Sequence, residues 1–258
     1  VWTIDLASGI HQPAGLPAQT EVFDVHSSRD GWWSWSTRAV IWIRSPDAEE
    51  DTRVQMGFTP DFIDDSLVYV SPDRRDLMKM PRDLSELPVS IFSVPVGHEL
   101  AASVSPLERE IVVLDRDEDG TIRLLELDAE GNPLTPGVFV PEALDGAFPK
   151  VSRHPFEPTY VVSATGGVAR GISLLDGETG VLDGISETPT GNAVFTPDGR
   201  SLVSIAPTPY GNVVGLQPAV PDADPLILLG PSPFINDDGL EPVPVPPPVP
   251  DTDSDGRP

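Results

Sequence analysis

The chain has 258 residues, enough for one large or two modest domains, and carries a formal net charge of −25. So acidic a surface is repelled by nucleic-acid phosphates and anionic membranes and favours solubility and cation binding. Cysteine is absent, which excludes disulfides and thiolate metal sites, and no apolar run approaches the length of a membrane span. Only two lysines occur, Lys79 and Lys150; the other basic residues are arginines and four histidines. The chain opens "VWTIDLASG" and closes "DTDSDGRP", and we expect it to be a fragment or processed piece of something longer.

Residues 1–12, containing "TIDLASGI", are expected to be the tail of a repeat unit. A short unit follows at about 20–56, with "WWSWS" and "AVIWIR". Further units are expected at 57–97, 98–146, 147–189 and 190–230. Four segments align these units: "FTPDFIDDSLVYVS", "VSPLEREIVVLD", "RHPFEPTYVVSA" and "FTPDGRSLVSIA". Each holds a proline, a polar turn and a β-branched run; Pro60, Pro106, Pro155 and Pro197 are 46, 49 and 42 residues apart. In the 20–56 unit "HSSRDG" stands where the others have proline. "TIDLASGI", "LELDAEGNPL" and "LLDGETGVL" each set an Asp before a Gly between apolar runs, the pattern of a hairpin turn. Apolar stretches run four to seven residues, without a sustained 3.6 period. Short strands grouped at a period of 40–50 residues predict an all-β fold: a β-propeller of four-stranded blades, about five plus a partial one, from a ring of six or seven.

"FTPDGRSLVSI" resembles the Pro-Asp-Gly blade motif of TolB-type (PD40-like) and YVTN-type propellers, and "LLDGETGVL" resembles their later hairpin. The resemblance covers about residues 57–230. It implies a propeller used for binding partners and, in some members, for hydrolysis; it carries over no catalytic residue. The Gly-His and Trp-Asp marks of WD40 repeats are missing.

Residues 1–235 are thus the predicted propeller and 236–258 a Pro-rich acidic linker. "EPVPVPPPVP" predicts an extended polyproline spacer or a disordered tail. "DTDSDG" resembles the start of a thrombospondin type 3 repeat, which implies calcium at Asp251, Asp253 and Asp255.

The stretch "DRDEDGTIRLLE", Asp115 to Glu126, matches the twelve positions of an EF-hand calcium loop. Its flanks do not match: "EIVVL" before it and the alternation of Ile122, Arg123 and Leu124 after it predict strands, and Pro133 stops a long exiting helix. Two readings remain. In one, the stretch is the hairpin turn between the second and third strands of a blade, with Gly120 at positive φ. In the other, Asp115, Asp117 and Asp119 meet calcium with the Thr121 carbonyl, Glu126 being the remaining candidate ligand, because a hard cation relieves the repulsion of three carboxylates. Arg123 stands where propeller calcium loops carry another acid.

No His pair has metal-ligand spacing, and there is no H-E-x-x-H, nucleophile elbow or phosphate loop. "ATGGVARG" is expected to be a loop between blade strands. His154, before Pro155, is expected to pack in a turn. Trp32, Trp33, Trp35 and Trp42 are expected to fill the seams between blades, the other reading being a platform for carbohydrate or peptide.

The function expected is non-catalytic: a binding or scaffold propeller of a secreted or cell-surface bacterial protein, periplasmic, outer-membrane-associated or extracellular. Its partner would be a protein or extracellular ligand, with no nucleic acid, and the chain would be monomeric or part of a larger multidomain protein. One alternative is a lactonase-like propeller hydrolase with its site at the central channel, which converging His and carboxylates would favour. The other is a surface segment rigidified by calcium.

Overall fold

The computed structural model describes residues 2–4, 11–13, 23–37, 40–48, 50–105, 109–140, 150–164, 171–186, 192–208, 211–220 and 226–232. All of the regular structure among them is β. A hairpin of β1 (Trp2–Ile4) and β2 (His11–Pro13) comes first. Blade 1 is β3 (Phe23–Ser27), β4 (Trp33–Thr37), β5 (Val40–Arg44) and β6 (Thr52–Met56). Blade 2 is β7 (Phe58–Ile63), β8 (Ser66–Val70), β9 (Asp76–Pro81) and β10 (Val89–Ser93). Blade 3 is β11 (Glu99–Val104), β12 (Ile111–Arg116), β13 (Ile122–Leu127) and β14 (Val138–Val140). Blade 4 is β15 (Lys150–Arg153), β16 (Thr159–Ala164), β17 (Gly171–Asp176) and β18 (Leu182–Ser186). Blade 5 is β19 (Asn192–Phe195), β20 (Ser201–Thr208), β21 (Gly211–Pro218) and β22 (Leu226–Ser232). Each blade is an antiparallel meander in chain order, and the five stand in a propeller ring. First strands neighbour first strands from blade to blade, which puts β3, β7, β11, β15 and β19 innermost.

The core lies in the seams between blades, and strand alternation explains how one apolar run serves two seams. In "IVVL" of β12, Ile111 and Val113 face blade 2, packing with Val68, Val70 and Leu77. Val112 and Leu114 face blade 4, against Tyr160, Val162 and Leu175. On β16, Tyr160 and Val162 serve that seam while Val161 turns to Phe195 and Leu202 of blade 5. Ile41 and Ile43 pack against Phe62, Leu67 and Tyr69 in the seam of blades 1 and 2. Gly57, between β6 and β7, keeps that seam close: a Cβ there would stand 2.7 Å from Tyr69 and 2.8 Å from Ile41.

The first-to-second turns of blades 1, 3 and 5 share one device. A hydroxyl at the turn's first residue accepts backbone N–H bonds from its far end and donates to an acid within the turn. Ser28 Oγ accepts from Trp32 N (2.9 Å) and Thr196 Oγ1 from Ser201 N (3.1 Å). Thr196 donates to Asp198 (2.6 Å), which holds that carboxyl below its ordinary value. "HSSRDG" in blade 1 is therefore the same turn without its proline. Pro60 corrects the expected alignment. It lies inside β7, at a register shift between Phe58 and Asp61, where a residue without an N–H breaks no ladder bond. The first-to-second turn of blade 2 is Asp64–Asp65, and "SPD" at Ser71–Asp73 repeats the hydroxyl–acid device one turn later.

Candidate functional site

The innermost strands bring together polar residues from three blades. In β3 a register shift between Phe23 and His26 and a left-handed Asp24 (φ 46°) turn the strand's polar groups inward. Asp24 Oδ1 accepts from Lys150 Nζ at 2.9 Å. This contact joins β3 of blade 1 to β15 of blade 4, so it spans the centre of the ring. Asp24 Oδ2 accepts from Ser36 Oγ at 3.3 Å. Burial pushes the Asp24 carboxyl up, but Lys150, His26 and Ser36 outweigh it and hold the group below its ordinary value.

Beside it, His26 Nδ1 stands 3.3 Å from Asp61 Oδ2, both residues buried. Asp61 is a staple as well as a partner: Oδ2 accepts the Val104 N–H of blade 3 at 2.8 Å and Oδ1 that of Phe62 at 2.7 Å. The neighbouring hydroxyls donate away from His26, Ser36 to Asp24 and Ser34 to the Pro60 carbonyl at 3.0 Å. Chemically the cluster couples blades 1, 2, 3 and 4 through charge and backbone bonds. It also sets a buried His beside two carboxylates on the innermost strands. Sequence reasoning missed all four residues. The signal available was a charged residue within an apolar first strand, as in "FTPDFI", and the scarcity of lysine.

A second buried charge pair lies in the seam of blades 3 and 4. Arg153 of β15 donates through Nε to Glu126 of β13; their side chains are 14% and 9% exposed. Burial opposes the Arg153 charge, but Glu126 more than compensates and holds the guanidinium above its ordinary value. Burial, with a hydrogen bond to Glu126, raises the Tyr160 phenol.

The acidic stretch is the hairpin turn between β12 and β13, with Gly120 at φ 87°. Asp117 Oδ1 accepts the N–H of Asp119 (3.0 Å) and of Thr121 (2.8 Å), and Asp117 N–H donates to the Thr121 carbonyl (3.0 Å). Asp115 faces His98 Nδ1 at 2.7 Å. Glu126 pairs with Val112, four ladder positions from the turn-end pair of Arg116 and Ile122, about 13 Å away at strand rise. The structure thus leaves Asp117, Asp119 and the Thr121 carbonyl at the turn and takes Asp115 and Glu126 to other partners. Among the described residues no three His, Asp or Glu side chains are grouped as for a metal. Asp251, Asp253 and Asp255, like the proline-rich segment, lie outside the described residues.

His154 serves its turn as a hydroxyl would. Nδ1 accepts N–H bonds from Phe156 (3.2 Å) and Glu157 (3.0 Å), which leaves Nε2–H to donate to the Gly199 carbonyl of blade 5 at 3.1 Å. Of the tryptophans, Trp35 is fully buried, Trp32 packs edge-on to Phe62 at 6.4 Å with Arg82 over its ring, and Trp42 Nε1 donates to Thr37 at 3.0 Å. A small groove lined by Trp32, Ile43, Thr52, Arg82 and Leu84 adjoins the seam of blades 1 and 2.

No protein-family model matches the chain, and no curated protein matches it. Solved structures do. TolB from Acinetobacter baumannii is 14% identical with a TM-score of 0.57, over 80% of this chain and 52% of that one. The chain thus spans about half the length of that TolB. A TolB candidate from Agrobacterium tumefaciens is 10% identical with a TM-score of 0.65, over 88% of this chain and 86% of that one. The Cps50 (Swd1) β-propeller domain of Myceliophteria thermophila is 11% identical with a TM-score of 0.59, over 90% and 80%. Blade order, strand count and these likenesses agree on the fold: the chain is a β-propeller resembling TolB and other propellers.

Proposed function

We propose that this chain is a non-catalytic binding or scaffold propeller of a secreted or cell-surface bacterial protein, working in the periplasm, at the outer membrane or outside the cell. The observation that carries this reading is the state of the central cluster. Asp24 is engaged by Lys150 and Ser36, and Asp61 by His26 and two backbone N–H groups, so the carboxylates that could act on a substrate serve instead to join blades. The working surface is then a face of the ring. The setting follows the likeness to TolB and to a chain of a nidogen/laminin complex, and among the described residues no helix is long and apolar enough to cross a membrane.

The hydrolase reading keeps one support, the buried His26–Asp61 pair beside Asp24 and Lys150. One experiment separates the two. Lactone and ester hydrolysis is assayed for the native chain, Asp24→Asn and Lys150→Met, while a photo-crosslinker at exposed Glu157 or Glu178 reports envelope neighbours in the native host. The binding reading expects no turnover from any form and a defined crosslinked neighbour. Hydrolysis by the native chain that Asp24→Asn abolishes would establish the enzyme instead. A calcium-rigidified segment would rest on Asp117, Asp119 and the Thr121 carbonyl, and the melting temperature with and without calcium tests it.

A further inference from the structure

In blades 3 and 4 the third-to-fourth turn closes on the outermost strand of the blade before it, and a glycine makes the close approach. Gly131 (φ 86°) donates its N–H to the Asp128 carbonyl and stands against β10, where a Cβ would meet the Ile91 carbonyl oxygen at 2.1 Å. Gly180 (φ 71°) donates to the Asp176 carbonyl and stands against β14, where a Cβ would meet Val138 at 2.9 Å. In blade 2 that place is taken by Leu84. Its N–H donates to the Pro81 carbonyl at 3.0 Å and its φ is 60°, a conformation that strains any residue with a side chain. The Leu84 side chain packs on the core of the seam of blades 1 and 2, and a groove remains between this turn and the third-to-fourth turn of blade 1.

The groove holds about 330 Å³, its open mouth included, at the small end of ligand clefts. Trp32, Ile43 and Leu84 give it an apolar wall; Ser45, Thr52 and Asp83 give it hydroxyls and a carboxylate. Arg82 lies 5.1 Å over the Trp32 ring and is fixed there by Asp30 at 2.7 Å and Asp65 at 2.6 Å. Two carboxylates on one guanidinium leave it no net positive charge to draw an anion, in a chain of net charge −25. An aromatic wall beside hydroxyls and a carboxylate suits a neutral ligand with one apolar face and a rim of hydroxyl groups.

We propose that this groove binds a neutral pyranose ring, a proposal that rests on the binding reading above and adds the chemical class of a small ligand. The C–H face of the sugar lies against Trp32 and Leu84, and its hydroxyls donate to Asp83 and exchange hydrogen bonds with Ser45 and Thr52. Leu84 in place of glycine keeps the groove open, and the paired Asp30 and Asp65 keep Arg82 from selecting an acid.

The test is saturation-transfer difference NMR on the whole chain. The probes are methyl glucoside, methyl galactoside, methyl mannoside and N-acetylglucosamine, with glucuronate as the anionic control. At least one probe should bind with a Kd on the order of 1–10 mM, ordinary for a ligand of about a dozen heavy atoms. Glucuronate should bind at least about fivefold more weakly than that probe. Ala48→Trp, which fills the groove from the turn of blade 1, should weaken binding at least about tenfold, and Asp83→Ala at least about threefold. Glu118→Ala, in the second-to-third turn of blade 3, should leave it unchanged; circular-dichroism melts confirm that the variants fold. No binding by any of the four neutral probes, or full affinity in Ala48→Trp, overturns the site. Glucuronate binding as tightly as the best neutral probe overturns its ligand class. The crosslinks at Glu157 and Glu178, in blade 4, judge the binding reading separately.

Discussion

Removing one partner of the Arg153–Glu126 pair tests how the ring is held together. Both side chains are far from solvent, at 14% and 9% exposure, and the pair joins β15 to β13 across a seam that includes Leu124, Tyr160, Val162 and Leu175. Arg153→Met keeps the volume but leaves Glu126 with the Tyr160 hydroxyl as its remaining described partner of opposite polarity. Breaking a buried pair in this way costs about 3–5 kcal/mol, because an uncompensated charge stays buried. For a chain of this size that is a fall in melting temperature of roughly 6–20 °C. Replacing both, as Arg153→Met with Glu126→Leu, should cost much less, on the order of 1 kcal/mol, because no lone charge is left. The assay is a double-mutant cycle in guanidinium chloride, followed by tryptophan fluorescence and by circular dichroism to check that the transitions coincide. A cost below about 1 kcal/mol for Arg153→Met would mean that water reaches the pair, and the account of a buried charged seam would be wrong.

Four further outcomes are expected. Gly57→Ala should destabilise by about 1–3 kcal/mol in thermal melts, since its Cβ would force apart the Tyr69 and Ile41 side chains; a neutral result would show a looser seam. Gly199→Ala should cost at least about 1–2 kcal/mol, because the residue sits at φ 72° and its Cβ would stand 2.3 Å from His154 Nε2, whose bond to the Gly199 carbonyl joins blades 4 and 5. The stability difference between the native chain and Asp24→Asn should be constant above about pH 5 and shrink as pH falls below about 4: the Asp24 carboxyl is depressed, so its contribution is present above the ordinary carboxylate value and lost as pH falls through the lower folded one. Calcium or EDTA should move the melting temperature by less than about 2 °C, because Asp117 already closes its turn onto backbone N–H groups; a larger rise that Asp117→Asn abolishes would make the turn a calcium site.

The architecture was legible because its causes are local and repeat. "IVVL" and "TYVVSA" mark strands buried on both faces, and the hydroxyl or His before Pro marks a turn that any strand pair closes the same way. Where a local signature misled, at Pro60, the residues "FTPD" were identical to those at Phe195–Asp198. The register shift in β7 nevertheless placed them inside a strand rather than in a turn. The acidic stretch was legible as a turn from its strand-like flanks. Its other partners were not: nothing near Asp115 or Glu126 in sequence points to His98, just before β11 of the same blade, or to Arg153, on β15 of the next one.

Composition and spacing determined that this protein is acidic, cysteine-free and built of short strands at a blade-length period, because turn chemistry and two-sided burial act over a few residues at a time. The tertiary structure alone decided what meets at the centre. Asp24 and Lys150 lie 126 residues apart in the chain, and only closing the blades into a ring brings them to 2.9 Å. Ring closure also decides which turns share a face, since that follows from the direction in which each blade's first strand runs through the disc rather than from the residues at either end of it.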